Sequence, residues 1–152
     1  MNNQERINWM NKIALLSQGT DTGSRKQFKM LSSDQLKLLY SSPLVTIGAH
    51  TINHPSLARL SFEEQIREVI GSKEYLENLL GTKITEFAYP FGSIDDYTID
   101  PIRILKKCGI KKAFTTWNKS ISTEKNYEIP RRSICECELF QFKQILSDPF
   151  KF

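Results

Sequence analysis

The sequence contains few of the residues that cross-link a fold. Its 152 residues include three cysteines and two histidines. An odd number of cysteines, Cys108, Cys135 and Cys137, argues against a disulfide framework in a chain that is long enough to bury a core. Cys135 and Cys137 would share one face of a strand. Without further ligands nearby, two packed thiols explain that spacing better than a zinc site does.

Long apolar runs and basic clusters are also missing. No window approaches the roughly 18 apolar residues that span a membrane. Residues 1–6 (MNNQER) lack the layout of a secretion signal, so we expect neither feature in this chain. The net charge of +4 is spread over 21 basic and 17 acidic residues. Since no basic face interleaved with aromatics and no known module is present, nucleic-acid binding is not expected.

Helix signals occur at several places. Residues 32–35 (SSDQ) and 61–64 (SFEE) have the form of capping boxes, in which a serine precedes glutamine or glutamate by three positions. The first predicts a short helix that ends near residues 41–43, and the second predicts a long amphipathic helix that Gly81 ends. A loop is expected over residues 18–24, and further helices within residues 7–16, 97–108 and 139–146.

Short β-branched and aromatic runs alternate with these helices. They predict strands over residues 44–48, 84–89, 112–116 and 128–134. Alternating strands and helices indicate an α/β fold with a mainly parallel sheet, whose ligands gather beyond the carboxyl ends of the strands. His50, residues 90–92 (PFG) and Arg131 all fall at or near such ends.

The two histidines, His50 and His54, stand four residues apart. Pro55 disfavours helical backbone at His54, so we expect a strand end followed by a turn. Such a turn can bring both imidazoles to one zinc, cobalt or nickel ion, and Gly48 permits close backbone approach. The alternative is a pair of loop histidines bonded to backbone, and two imidazoles alone leave a metal site incomplete.

From about residue 31 to residue 146, the sequence resembles the polysaccharide deacetylases, which remove acetyl groups from N-acetylated sugars. Residues 47–57 (IGAHTINHPSL) are similar to the family's two-histidine metal motif, and residues 87–92 (FAYPFG) to the motif that forms a wall of its substrate groove. Residues 113–116 (AFTT) and 129–131 (IPR) add support. The resemblance implies a partial, mainly parallel (β/α) barrel-like fold that lacks its first strands.

The resemblance also implies metal-dependent hydrolysis of N-acetyl groups on a polysaccharide or glycan. In the family, a divalent metal held by one aspartate and two histidines polarises the acetamide carbonyl and binds the attacking water, while a second aspartate acts as base. His50 and His54 would be the two imidazole ligands. Zinc is the expected metal, with cobalt or nickel as alternatives.

Further roles follow from the same resemblance. The backbone N–H of Phe91 would stabilise the oxyanion, and Tyr89, Pro90 and Phe91 would bind substrate. Tyr89 and Phe91 can also be read as core aromatics that end a strand. Arg131 would orient the catalytic aspartate, replacing an arginine that other members carry where this sequence has Ala88. Its alternative is an exposed surface charge.

The family's paired aspartates and its late histidine have no counterpart in this sequence. Asp21 falls in a predicted loop and Asp34 in a helix cap, while residues 95–96 (DD) follow the groove motif and are expected to start a helix. We therefore expect a weakly active or inactive chain. It is either the C-terminal part of a longer deacetylase, or a remnant that binds glycan or protein without catalysis.

The domain organisation follows from that reading. Residues 1–30 are expected to form an insertion-like helix and loop, ahead of an incomplete deacetylase-like α/β domain over residues 31–152. A sheet without its first strands would expose an edge, which a homo-oligomer could cover.

Overall fold

The computed structural model of the protein describes residues 3–16, 30–116, 125–131, 139–140 and 142–143. The helices are α1 Asn3–Leu16, α2 Ser33–Tyr40, α3 Phe62–Leu80 and α4 Ile99–Lys107. The strands are β1 Glu86–Ala88, β2 Lys112–Thr115 and β3 Ile129–Pro130, and 3₁₀ turns occur at Leu57–Arg59 and Lys125–Tyr127. Outside the described residues lie the predicted loop at residues 18–24, Cys135, Cys137 and most of the elements predicted beyond residue 131.

The strands form one parallel sheet in the order β1-β2-β3. Phe87 of β1 lies opposite Ala113 of β2, and Phe114 of β2 lies opposite Ile129 of β3. On the free side of β1, Ala49 forms a parallel bridge with Phe87. The predicted α/β fold with a parallel sheet is therefore confirmed, and the strands end at one common edge, where such sheets bind ligands.

The prediction of a strand over residues 44–48 is wrong. Only the next residue, Ala49, pairs with β1, by donating to the Glu86 carbonyl at 2.8 Å and accepting from the Ala88 N–H at 2.9 Å. Because β1 begins at Glu86, residues 44–48 have no parallel neighbour with which to form a ladder. Leu44, which a buried strand would cover, is 93% exposed. His50 nevertheless follows directly after the paired residue.

Both predicted capping boxes are confirmed. The Ser32 and Ser61 hydroxyls accept from the backbone N–H of Gln35 and Glu64, whose side chains accept in return from the serine N–H groups. The long helix α3 ends at Gly81, whose φ of 66° is left-handed. These starts and stops are local, so the sequence alone determines them.

Residues 95–96 do not start a helix, contrary to expectation. The Asp96 carboxylate accepts from the N–H of Ser93 at 3.0 Å and from its hydroxyl, which closes a turn instead. Thr98 then caps α4 by accepting from the Asp100 N–H. A side chain that binds nearby backbone in this way competes with helix formation, and the helix therefore begins three residues later, at Ile99.

The core lies between the sheet and the helices α3 and α4, which pack against each other. The sheet contributes Phe87 and Ala113, both almost fully buried. The surrounding buried side chains are Leu57, Val69, Ile84, Ile102, Leu105 and Ile110. In the part of the chain that the structure describes, no helix is long and apolar enough to cross a membrane.

The two capping boxes provide a matched test of how α3 supports the fold. We expect Ser61→Ala to lower the free energy of unfolding by about 1 kcal/mol, because it uncaps a helix that packs on the core. Ser32→Ala removes the same hydrogen bond from α2, which buries no residue. Its effect on global unfolding should therefore be smaller. Urea denaturation followed by circular dichroism measures both, and equal losses would contradict this account.

Candidate metal centre

Backbone pairing determines the position of His50. Both the N–H and the carbonyl of Ala49 form hydrogen bonds with β1. The Nδ1 of the next residue, His50, donates to the Ala88 carbonyl at 2.7 Å. A carbonyl can only accept, so Nδ1 carries the proton and Nε2 keeps its lone pair. Ring N–H to carbonyl contacts of this kind orient metal-binding histidines. Within the described residues, no hydrogen-bond partner occupies the Nε2 of His50.

His54 lies four residues on, at the end of a turn formed by residues 50–54, the histidine turn. Thr51 and His54 both have left-handed backbone, with φ of 62° and 54°. The Thr51 hydroxyl accepts from the His54 N–H at 3.1 Å, which closes the turn. Pro55 is buried directly behind it. The structure therefore has a turn at this point and no helical pair, as the sequence predicts.

The turn brings the two imidazoles together. Their ring centroids are 4.8 Å apart at an interplanar angle of 76°. The Phe91 ring also lies against His54, with a centroid distance of 4.8 Å and an interplanar angle of 76°. Both histidines are exposed. The structure thus places side by side three of the residues that the sequence singles out.

Electrostatics favour a neutral imidazole at His50. Desolvation by the surrounding protein lowers the pKa of His50, and the neighbouring His54 and the positive charge of Arg131 lower it further. The hydrogen bond to Ala88 opposes this change without cancelling it. A neutral ring is the form that binds a metal, so the protonation state fits a ligand role.

Residues 89–92, here called the groove wall, expose only one of their two aromatic side chains to solvent. Tyr89 and Pro90 are fully buried, whereas Phe91 is 58% exposed. Tyr89 stacks on Tyr97 at 4.2 Å and donates its hydroxyl to the Tyr127 carbonyl at 2.9 Å. A side chain without exposed surface cannot touch a polymer. Any substrate contact in this stretch therefore falls to Phe91, and Tyr89 is the core aromatic of the alternative reading.

The backbone of the groove wall is held in an unusual conformation. Phe91 has a φ of 60°, and no acceptor among the described residues lies within hydrogen-bond distance of its N–H. Thr116, just after β2, donates its N–H to the Gly92 carbonyl at 2.9 Å and its hydroxyl to the Phe91 carbonyl at 2.7 Å. The free N–H of Phe91 is thus available to an oxygen atom from solvent or ligand.

Arg131 lies at the end of β3, as predicted. Its backbone N–H and its Nε both donate to the Thr115 carbonyl, at 3.0 and 3.3 Å. The side chain is exposed, yet close enough to His50 to affect its pKa. The carbonyl contact therefore holds the Arg131 side chain at the end of β2.

Open space surrounds His50. A hollow of about 400 Å³ extends from His50 across the face of the sheet that carries Ala88, Lys112 and Phe114. A second, of about 550 Å³, lies between the histidine turn and α3 and is lined by Ile52 and Tyr75. His50 borders both hollows, so a ligand can reach its free nitrogen.

Sequence analysis missed Glu68, a residue of α3 that is 7% exposed. Its carboxylate accepts from the backbone N–H groups of Ile52 and Asn53, inside the histidine turn. The available signal was a row of polar residues at helical spacing on an amphipathic helix. Gln65, Glu68 and Ser72 follow helical spacing and are all buried.

The residues present fit two positions of a metal site. The imidazoles are adjacent, exposed and oriented, and nitrogen ligands suit zinc, cobalt or nickel. A group of three or more His, Cys, Asp or Glu side chains that could hold a metal does not occur within the described ranges. The described residues therefore bring two nitrogen donors together without a third side chain of these types that completes the group.

Comparison with known proteins places these features in a family. The family model described as polysaccharide deacetylase matches residues 12–113. Poly-β-1,6-N-acetyl-D-glucosamine N-deacetylase of Staphylococcus aureus is 29% identical over 111 residues, and the corresponding enzyme of Staphylococcus epidermidis is 30% identical over 111 residues. Each match covers 67% of this chain and 37% of the relative, so the chain spans little more than a third of their length.

Comparison with solved structures also finds similar proteins. The Streptococcus pyogenes deacetylase PplD, solved in complex with acetate, is similar with a TM-score of 0.54 and 29% identity, over 59% of this chain and 38% of that one. IcaB from Ammonifex degensii, at 22% identity, has a similar fold, with a TM-score of 0.63 over 78% of this chain and 53% of that chain. The fold around the histidine turn is thus that of known deacetylases.

Two glycines test whether the groove wall depends on its backbone. Gly92 has a φ of 73°, and an added Cβ would meet the Thr116 backbone nitrogen at 2.9 Å, whereas Gly81 has a φ of 66° and open space around it. We expect Gly92→Ala to cost about 2–3 kcal/mol of unfolding free energy, and Gly81→Ala only about 1 kcal/mol. Thermal and urea unfolding of both variants measure the difference. A cost at Gly92 no larger than at Gly81 would mean that the loop shifts freely.

Proposed function

The chain belongs to the polysaccharide deacetylase family, and we propose from this that it forms part of a metal-dependent enzyme that hydrolyses N-acetyl groups on a polysaccharide or glycan. The observation that carries the proposal is the paired imidazoles of His50 and His54, with no hydrogen-bond partner among the described residues at the Nε2 of His50. The staphylococcal relatives are named for a polymer of N-acetyl-D-glucosamine. An N-acetylated hexosamine polymer is therefore our proposed substrate class.

In this proposal, His50 and His54 hold a divalent ion, zinc first, with cobalt or nickel as alternatives. When bound, such an ion supplies Lewis-acid polarisation of the acetamide carbonyl and lowers the pKa of water. The Ala88 carbonyl keeps the His50 ring in the required tautomer. The chain's own contribution is thus to fix two nitrogen donors before the ion arrives.

The groove wall would act on the acetyl group itself. The N–H of Phe91 has no acceptor among the described residues, and its ring touches His54. We therefore assign this N–H to the carbonyl oxygen of the substrate, where negative charge develops during hydrolysis. The exposed Phe91 ring would contact the sugar, with Tyr89 and Pro90 supporting it from the core.

Arg131 is assigned a positioning role. Its Nε is tied to the Thr115 carbonyl, and its charge affects His50. A guanidinium held at this edge can pair with a carboxylate that enters the site. We propose that it orients the family's catalytic aspartate, which the described residues do not supply.

The missing carboxylates limit what these residues can do alone. Both oxygens of the nearby Glu68 carboxylate accept hydrogen bonds from the histidine turn, so Glu68 is not available as a base. Metal held by two imidazoles and water binds weakly. We therefore propose that the 152-residue chain by itself is weakly active or inactive. The same observation favours a second candidate function, a non-catalytic module that binds glycan or protein through the groove.

Self-association is a further part of the proposal. Among the described residues, Ala49 is the outermost one paired on this side of β1, and Leu44, five residues earlier in the chain, is 93% exposed. Unpaired edges and exposed apolar side chains favour association. A homo-oligomer that covers this edge therefore stays a prediction.

Metal binding separates the two candidate functions. We expect the wild-type chain to bind one Co²⁺ or Zn²⁺ ion, and His50→Ala and His54→Ala each to reduce that binding at least about tenfold, because each removes one of two described ligands. Isothermal titration calorimetry measures the affinity and stoichiometry. Arg59→Ala, an exposed change just beyond the turn, is the control and should bind as the wild type does. Equal affinity in all variants would eliminate the metal site.

An activity assay tests the role of the missing carboxylates. We expect the 152-residue chain, supplied with Zn²⁺ or Co²⁺, to release negligible acetate from N-acetylglucosamine oligomers, because no described carboxylate can serve as base beside the histidines. Acetate release is followed by an enzyme-coupled assay. Robust turnover that His50→Ala abolishes would contradict this prediction, and would show that the 152 residues complete the site.

A further inference from the structure

We infer that Glu68 is the positioning residue of the metal centre: its buried carboxylate on α3 holds the histidine turn in the shape that brings His50 and His54 together. The inference rests on the proposed metal-binding function. It concerns a helix residue that lies outside the two-histidine motif of residues 47–57 and outside the groove wall. It assigns to α3 a second task, in addition to filling the core.

The contacts are directed at the middle of the turn. One carboxylate oxygen of Glu68 accepts from the backbone N–H groups of Ile52 and Asn53, at 2.8 and 2.9 Å. The other oxygen accepts from the Asn53 side-chain amide at 2.7 Å. Ile52 and Asn53 are two of the three residues between the histidines. The anchored segment is therefore the one whose shape sets the separation of the two rings.

Burial makes this anchoring strong. Glu68 is 7% exposed, and within the described residues it forms no ion pair. A buried carboxylate without a cation must be compensated by hydrogen-bond donors, or it costs several kcal/mol. The described donors are those of the histidine turn. Opening the turn would therefore leave an uncompensated charge in the protein interior, which couples the conformation of the turn to the folding of α3.

The turn needs such an anchor. Thr51 and His54, on either side of the held residues, are left-handed, which is an unfavourable backbone conformation for residues other than glycine. The Thr51 hydroxyl supplies only one bond inside the turn. Gly71, one helical turn beyond Glu68, leaves room for the Ile52 side chain against α3, since an added Cβ would approach it at 2.6 Å. Helix α3 thus holds the turn by the hydrogen bonds of Glu68 and by the packing of Ile52 against Gly71.

The test compares two glutamates of the same helix. Glu68→Gln keeps the size of the side chain but removes its negative charge and replaces one acceptor oxygen with an N–H₂ group, so its hydrogen bonds to the turn become weaker and one of them must be remade or lost. Glu77→Gln is the matched control. Glu77 also accepts from a loop N–H, that of Ile84 at 3.0 Å, but at the other end of α3. Both variants lose a carboxylate of α3, and only one of them touches the histidine turn.

Two measurements decide the matter. In the metal-free chain, we expect the imidazole ¹⁵N resonances of His50 and His54 to move in Glu68→Gln and to stay unchanged in Glu77→Gln. In titrations with Co²⁺, we expect Glu68→Gln to bind about tenfold more weakly, and Glu77→Gln to stay within about twofold of the wild type. Asn53→Ala, at an exposed site, should weaken binding in the same direction even if Glu68→Gln does not fold.

The outcomes separate this inference from the function on which it rests. The positioning role is overturned if Glu68→Gln binds Co²⁺ with wild-type affinity. It is also overturned if Glu77→Gln weakens binding equally, because a general loss of stability would then explain both changes. If the wild-type chain binds no Co²⁺, the proposed function fails. The ring resonances then still decide whether Glu68 shapes the histidine turn: movement in Glu68→Gln alone supports that role, and unchanged resonances refute it.

Discussion

The site depends on a single stretch of parallel backbone pairing. Ala88 donates its N–H to the Ala49 carbonyl and offers its own carbonyl to the His50 ring, so one residue of β1 both docks the incoming chain and orients the first imidazole. The sheet is short, and among the described residues this bridge is the backbone pairing that ties it to the segment before the histidine turn. The turn that brings His54 to Phe91 starts from this pairing.

Conformational strain is concentrated where the chemistry is proposed. Among the described residues, those other than glycine with positive φ are Thr51, His54 and Phe91, and all three belong to the histidine turn or the groove wall. Strained backbone persists only where its surroundings over-determine it. Glu68 from α3 and Thr116 from the end of β2 supply those surroundings on opposite sides of the site. The regular elements thus serve as a frame that holds two irregular segments in contact.

The ends of the helices were predictable from the sequence, and the pairing of strands that are distant in the chain was not. Capping boxes and a terminal glycine involve neighbours three or four residues away, so the bounds of α3 could be read directly. The strand expected over residues 44–48 failed because its existence depends on the length of β1, about forty residues later in the chain. Likewise, nothing local distinguishes buried Tyr89 from exposed Phe91, or marks Glu68 as the partner of a turn fifteen residues before it.

The Ala88 carbonyl has a consequence for how this family can diverge. Because the contact to His50 is made by main chain, any residue that keeps the strand can occupy position 88 and still orient the ring. The Ala88 side chain takes no part in that contact. A substitution at position 88 that keeps the strand would therefore change the charge or size of the side chain beside the site without changing the tautomer or orientation of the His50 ring.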